Sequence, residues 1–386
     1  MLPRVLAVAH RLDIGGTEMH LTRVLPELRR HGLDVSVFVL SRGGRLEAQL
    51  AGTGVPVTGP VGHRIRLLRN IAACCSLRRE LSRVRPDIVH YFLPEPYLVG
   101  SLAAAGTNVT RIMSRRSLAD YQIHHPMLAR FERWLHRFTK GLIGNSTAVV
   151  RQLADECGDA GKVGLIHNGI EMPPAITAER RAAARDQFAI DADAFVLAVS
   201  ANFIAYKGHD DLFDALGLLA RQPRPPWRLM LIGRDEGRVA RLRAKAEALG
   251  FGSNILWLNE CDDAQTPLDA ADIGILPSHQ EGFSNSLLEK MARGLPVVAT
   301  RIGGNVDAVI DGESGLLVPV KDPPALMAAI IKLWEDAELR NRLGAAARDR
   351  VRKNFSLDAC VQKYLNLYGG VARREHGPIQ SLIASG

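Results

Sequence analysis

The 386-residue sequence contains no apolar run approaching the ~20 residues that a membrane-crossing helix requires. Its opening, "MLPRVLAVAH", is too short in apolar residues and meets charge too soon to read as a secretory signal. A cytoplasmic location is therefore expected. Cysteine is scarce: the five thiols, Cys74, Cys75, Cys157, Cys261 and Cys360, are odd in number, include an adjacent pair and show no metal-type spacing. This excludes a disulfide framework or a zinc site of the usual patterns and leaves reduced, mostly packing thiols. Basic residues interleaved with aromatics in an RNP or C2H2 pattern are also missing, so the net charge of +8 does not by itself indicate nucleic acid. Of two carboxylate clusters, "DAD" at 191–193 precedes a strand instead of ending one and reads as a helix-to-strand turn, and "CDDAQ" at 261–265 has no histidine or third ligand beside it, so no metal site is expected.

What is present is a repeated alternation of short β-branched runs with helical periodicity. The first series of strand candidates covers 4–10, 34–40, 87–93, 109–114, 141–146 and 163–169; the second covers 195–201, 228–233, 254–259, 272–278, 296–300 and 315–320. Each run is continuously apolar, as in parallel strands covered by helices on both faces. The pattern predicts α/β architecture, two doubly wound domains in one chain. A Pro-Pro break and a charged Ala-rich helix at 171–193 place the boundary, giving domains 1–172 and 173–356. The helical stretch 357–372 has no strand to cover and is expected to return to the first domain, while 373–386 reads as a poorly ordered tail.

In open α/β sheets, ligands bind beyond the carboxyl ends of the strands, and two such domains facing each other make a crevice. Gly15 and Gly16 follow the first strand and precede the amphipathic run from Thr17. Glycines there allow close backbone approach to an anion at a helix start, or they serve a turn that needs positive φ. The stretch "HQEGFSNSLLEKMARGLPVVATRIGGN", residues 279–305, is more specific: a strand ends at Ser278 and a turn with Glu281 leads into an apolar helix closed at Gly294. Ser286-x-x-Glu289 has capping-box spacing, which explains Glu289 structurally but leaves Glu281 unexplained. If a nucleoside diphosphate rests on the N–H groups near Asn285 and Ser286, both carboxylates must face neutral hydroxyls: the ribose diol for Glu289 and a sugar for Glu281.

This segment resembles the C-terminal signature of family 4 glycosyltransferases, with the E-x7-E motif at Glu281 and Glu289. The "GGTE" of Gly15, Gly16 and Glu18, "HNGI" at 167–170 and the stretch 200–216 carrying Lys207 match in the family's order. The resemblance implies a GT-B fold, with a nucleotide sugar held mainly by the second domain and an acceptor by the first. It further implies transfer with retention of anomeric configuration and no metal or other cofactor. By position, Glu281 binds the donor sugar, Glu289 the ribose and Lys207 the pyrophosphate. The Gly15–Gly16 loop contributes amides, and Gly233, Gly282, Phe283, Ser284, Asn285 and Ser286 complete the donor contacts. Asn259 begins a loop beside the base.

Two positions depart from the family pattern. Asn202 stands where similar sequences commonly carry arginine, and Arg115 and Arg116 occupy the region where many have histidine. One hypothesis covers both: an arginine at 115 or 116 replaces the missing positive charge. His90, within a strand, is a further catalytic candidate. Basic and apolar residues mix over 63–87 and 127–138, either as core-facing helices with charged backs or as surfaces for anionic lipid. The membrane reading suits a lipid-linked or glycan acceptor and a peripheral position on the inner face of the cytoplasmic membrane. The expected function is a hexosyltransferase using a UDP- or GDP-sugar in surface polysaccharide, lipopolysaccharide or glycolipid assembly. Two alternatives stay open: a nucleotide-sugar isomerase of the non-hydrolysing epimerase type, and a nucleotide-sugar binding protein without catalysis.

Overall fold

A computed structural model describes residues 2–62, 65–119, 121–258 and 265–384. The chain divides into two compact units: residues 1–169 together with 357–386, and residues 170–356. The first holds a seven-stranded parallel sheet made of β1 (Arg4–Ala9), β2 (Asp34–Val39), β3 (Val57–Thr58), β4 (Ile88–Phe92), β5 (Thr110–Arg115), β6 (Gly141–Gly144) and β7 (Val163–Leu165). The second holds a six-stranded parallel sheet made of β8 (Phe195–Ser200), β9 (Trp227–Ile232), β10 (Ile255–Leu258), β11 (Ile273–Leu276), β12 (Val297–Thr300) and β13 (Leu316–Val318). Central strands are buried along their whole length, as the unbroken apolar runs require; Val5 to Val8 and Val196 to Val199 have no exposure.

The strand orders are β3-β2-β1-β4-β5-β6-β7 and β10-β9-β8-β11-β12-β13. In each sheet the winding reverses once, between β1 and β4 in the first and between β8 and β11 in the second. In open α/β sheets such a reversal, beyond the carboxyl ends of the strands, is the place where ligands bind.

All twelve expected strands form, and β3 is additional. It has only two residues, too few to show a period. The helix Leu357–Ala372 packs on the first unit: Cys360, Val361, Tyr364, Leu367, Tyr368 and Val371 belong to the same core cluster as Val5 and Ile88. The expectation of a poorly ordered tail is corrected. Residues Ile379–Ala384 form a helix whose Ile379, Leu382 and Ile383 are buried, and Gln380 Oε1 accepts from Leu165 N at 2.7 Å. Spacing of i, i+3 and i+4 gives this short segment an apolar stripe. Gly141 and Gly164 make room for it, since a Cβ at 164 would lie 2.5 Å from Ile383 Cδ1.

Candidate functional site

In the second unit, the loops after the two strands at the switch point converge. Lys207 ends a short 3-10 turn, Ala205–Lys207, after β8, and Glu281 lies in the turn after β11. Lys207 Nζ donates to Glu281 Oε1 at 2.7 Å, and Ser278 Oγ donates to the same oxygen at 2.8 Å. Gly208 permits this approach: its φ is 72°, and a Cβ would stand 1.9 Å from Pro277 O. Thr300 Oγ1, at the end of β12, donates to Ser278 O at 2.5 Å, while Asn305 Nδ2 donates to Thr300 O at 3.0 Å. The glycine pair of "RIGGN" lies against the Glu281 turn, where Cβ atoms at 303 and 304 would each come within 2.1 Å of a backbone oxygen, Glu281 O and Gly282 O respectively. The strand and glycine pair following the E-x7-E helix therefore brace the turn that carries its first glutamate.

The helix Asn285–Ala292 is capped by Ser284, whose Oγ accepts from Leu287 N at 3.3 Å. This corrects the capping-box reading. Ser286 lies inside the helix, and its Oγ turns to Ser200 O at 2.5 Å, away from the role of a cap. Phe283 is buried against Phe355, with ring centroids 5.2 Å apart, and so anchors the turn. Gly282, Asn285 and Glu289 are half-buried along the same turn and helix. Asn202 Oδ1 accepts from Arg234 N at 3.2 Å, and Gly233 lets the chain pass Ala201 O, 2.2 Å from where its Cβ would be. The expected base-side residue Asn259 and the "CDDAQ" cluster, apart from Gln265, lie outside the described residues.

In the first unit, Gly15 has φ of −159° and precedes the helix Gly16–Arg30. Neither glycine has a positive φ, so the turn explanation for the pair does not hold. A Cβ at Gly15 would strike Glu18 Oε2 at 2.4 Å, whereas one at Gly16 would meet nothing within 4 Å. Burial raises the Glu18 carboxyl, offset by a backbone hydrogen bond and the charge of Arg116.

Three first-unit candidates are held in the interior. Arg115 is 1% exposed; its guanidinium donates to both oxygens of Glu156 at 2.7 Å and to Glu132 Oε1 at 2.6 Å. Burial alone would lower it, but these carboxylates raise it and keep it charged. It cannot also serve a ligand, which corrects its assignment as a catalytic cation. Glu132, His136 and Glu156 could in principle share a metal, their ligand atoms lying within 4.8 Å of one another, but the Arg115 guanidinium already supplies the positive charge there. His90 is fully buried between Tyr368 Oη and Ser114 Oγ, each at 2.7 Å, and stacks on Phe92. Burial lowers it to about 3, with the Arg116 charge adding to the effect, so it is a neutral core histidine and its catalytic assignment is also corrected. Arg116 donates to Asn168 Oδ1 of "HNGI" at 2.5 Å and is buried near Tyr364, Cys360 and Glu18. Of the three, Arg116 is the one whose charge acts on Glu18, in the first turn of the helix after Gly15.

Family models match the two units in turn: glycosyltransferase family 4 over residues 14–172 and glycosyl transferases group 1 over residues 180–350. A lipopolysaccharide core biosynthesis glycosyltransferase of Rhizobium meliloti, LpsE, is 30% identical over 356 residues, 92% of this chain and 95% of that protein. The chain belongs to the family 4 glycosyltransferases. A D-inositol 3-phosphate glycosyltransferase of Corynebacterium diphtheriae is 26% identical over 97% of this chain and 94% of its own length. Among solved structures, Anabaena HepE in complex with UDP-glucose superposes with a TM-score of 0.84 at 20% identity, covering 96% of this chain and all of HepE. WaaG, from lipopolysaccharide biosynthesis, gives 0.75 at 19%, covering 95% of this chain and all of WaaG. These likenesses show the fold of the glycosyltransferase to be GT-B. Lys290, next to Glu289 in the chain and not singled out by the sequence, is a fully buried lysine.

Proposed function

We propose that this glycosyltransferase transfers a hexose from a nucleotide-diphosphate sugar with retention of configuration, in the assembly of a surface polysaccharide, lipopolysaccharide or glycolipid. The carrying observation is the Lys207–Glu281 pair beside the start of the 285–292 helix. Breaking the sugar–phosphate bond leaves negative charge on the departing diphosphate, and a fixed cation with helix-start N–H groups lowers the barrier to its departure. Glu281 then faces the sugar hydroxyls and Glu289 the ribose diol, where a carboxylate meets donors instead of phosphate oxygens. Since protein groups can meet this charge, the proposed reaction runs without a metal ion. The UDP and UDP-glucose complexes of HepE support a nucleotide donor.

For the acceptor, we favour a lipid-linked molecule at an anionic membrane surface. Ala73, Leu77 and Leu81 of the helix Arg66–Val84 are buried, but Leu67, Leu68 and Ile71 near its start are exposed. Next to them lies a groove of about 820 Å³ whose walls include Leu67, Ile71, Leu98, Leu102 and Phe131. Exposed Met127, Trp134 and Phe138 share a short stretch with exposed Arg130, Arg133 and Arg137. Apolar side chains ringed by arginine suit the headgroup region of anionic lipid.

Incubation with UDP-, GDP- and ADP-sugars in the presence of a chelator tests the donor reading. Release of nucleoside diphosphate with transfer to an acceptor is expected. An altered sugar on intact nucleotide would indicate an isomerase, and binding without reaction a receptor. Sedimentation with phosphatidylglycerol vesicles should show binding that weakens with salt; its absence overturns the membrane assignment.

A further inference from the structure

Lys290 has no solvent exposure, yet it is a lysine on the helix that carries Glu289. Its stem lies over β11 at Gly274, where a Cβ would come within 2.5 Å of Lys290 Cδ and 3.0 Å of its Cβ, so only glycine leaves room for it. The ammonium donates to Ser286 Oγ at 2.6 Å, Ser200 Oγ at 2.8 Å and Ser286 O at 3.3 Å, giving three acceptors for three protons. All three are neutral oxygens. Ser286 Oγ in turn donates to Ser200 O at 2.5 Å and lies 2.8 Å from Ser200 Oγ. The ammonium thus fixes two half-buried hydroxyls, one at the end of β8 and one in the first turn of the helix.

A buried ammonium among neutral acceptors is costly unless negative charge arrives nearby. The charged groups that face it are Glu289 and Glu281, which favour its protonated form, and Lys207, which opposes it. Lys207 is itself bonded to Glu281, and Asn202 brings no charge.

We infer that Lys290 is a positioning residue for the donor: it holds Ser200 and Ser286 in place and places a positive charge beneath the helix start, so that binding the nucleoside diphosphate draws a proton onto the lysine. The inference rests on the proposed donor site in the second unit. Burial lowers Lys290 to about 7 in the free protein, with Glu289 acting in the opposite direction. An arriving diphosphate raises it again, because an opposite charge favours the ionised form. Below about pH 7 the lysine is already charged and adds nothing to the pH dependence of affinity. Above it, affinity falls by up to about tenfold per pH unit until the lysine in the complex also deprotonates. The terminal phosphate, with its second ionisation near about pH 6, does not titrate in that range.

The test is calorimetric titration of UDP, GDP and ADP into the full chain near pH 8, in two buffers of different ionisation enthalpy. Wild type should take up close to one proton per nucleotide bound, and Lys290→Met close to none, with its pH slope between 7 and 9 flattened. Nucleotide binding by wild type without proton uptake overturns the inference and leaves the donor site standing, a result that does not require any variant to fold. Undiminished uptake by Lys290→Met overturns it as well. If no nucleotide binds wild type at any pH, the donor-site reading fails and the role of Lys290 fails with it.

Discussion

Lys207 Nζ and Glu281 Oε1 stand 2.7 Å apart although 74 positions separate them in the chain. The sheet makes them neighbours: β8 and β11 are adjacent, and each residue lies in the loop leaving its strand at the point where the winding reverses. Lysine replacement should therefore act on the reaction. Lys207→Ala removes the cation proposed to meet the leaving group and is expected to lower kcat by about 10²–10³, the loss typical of one preorganised stabilising contact. Glu281→Gln should weaken sugar positioning and cost transfer more than nucleotide binding. Steady-state transfer rates alongside circular dichroism check both, and a Lys207→Ala protein with wild-type kcat would rule out its role.

Arg115 should behave in the opposite way. It is enclosed with Glu132 and Glu156 at 1%, 0% and 6% side-chain exposure, so Arg115→Met leaves two buried carboxylates without their cation. Removing one partner of such a cluster costs about 3–5 kcal/mol. The expected outcome is a large drop in denaturation midpoint, with the activity of the molecules that remain folded near wild type. A stable Arg115→Met protein that has lost transfer would return this arginine to the reaction.

This contrast shows what the sequence made legible and what it did not. Continuous β-branched runs disclosed the twelve longer strands, and Glu281 was conspicuous because a carboxylate in a turn after a strand lacks a structural explanation. Lys207 was placed by the resemblance of the stretch 200–216 to the family pattern. The misassigned residues depend on partners brought close only by the fold: Arg115 is neutralised by Glu132 and Glu156, which follow it by 17 and 41 positions. Lys290 reads as an ordinary solvated helix lysine until Gly274 and Ser200 are seen against it. The cap at Ser284 in place of Ser286 is a shift of two residues, below what spacing alone resolves.

Acid stability should be governed by buried histidines. Burial lowers His90 to about 3 and His209 to about 4, and it lowers His20 as well. In the unfolded chain these rings protonate near pH 6.5, so between that value and the folded pKa the unfolded state binds more protons. The histidine contribution to stability is therefore intact above about pH 6.5 and falls as pH drops toward 4, by up to about 1.4 kcal/mol per pH unit for each histidine. His90→Gln should flatten that acid limb in thermal melts between pH 4 and 7 while leaving the pH dependence of transfer unchanged. A change in the pH–rate profile would mean that His90 is in the reaction after all.

The last prediction concerns the brace behind Glu281. Gly304 faces backbone on every near side: an added Cβ would stand 2.1 Å from Gly282 O, 2.7 Å from Phe283 Cα and 2.9 Å from Gly282 C. Backbone cannot swing aside as a flexible side chain can, so Gly304→Ala must push the loop and the Glu281 turn apart. Overpacking of this kind costs about 1–3 kcal/mol. A displacement of roughly 1 Å at a positioning group can cost about 10²-fold in rate. Transfer should fall by about 10–100-fold while the denaturation midpoint moves only modestly. Gly52→Ala, on a helix with nothing within 4 Å of the new Cβ, is the matched control and should leave the rate unchanged. If Gly304→Ala loses stability but keeps its rate, the turn tolerates displacement and Glu281 is not held to a fixed position by the glycine pair.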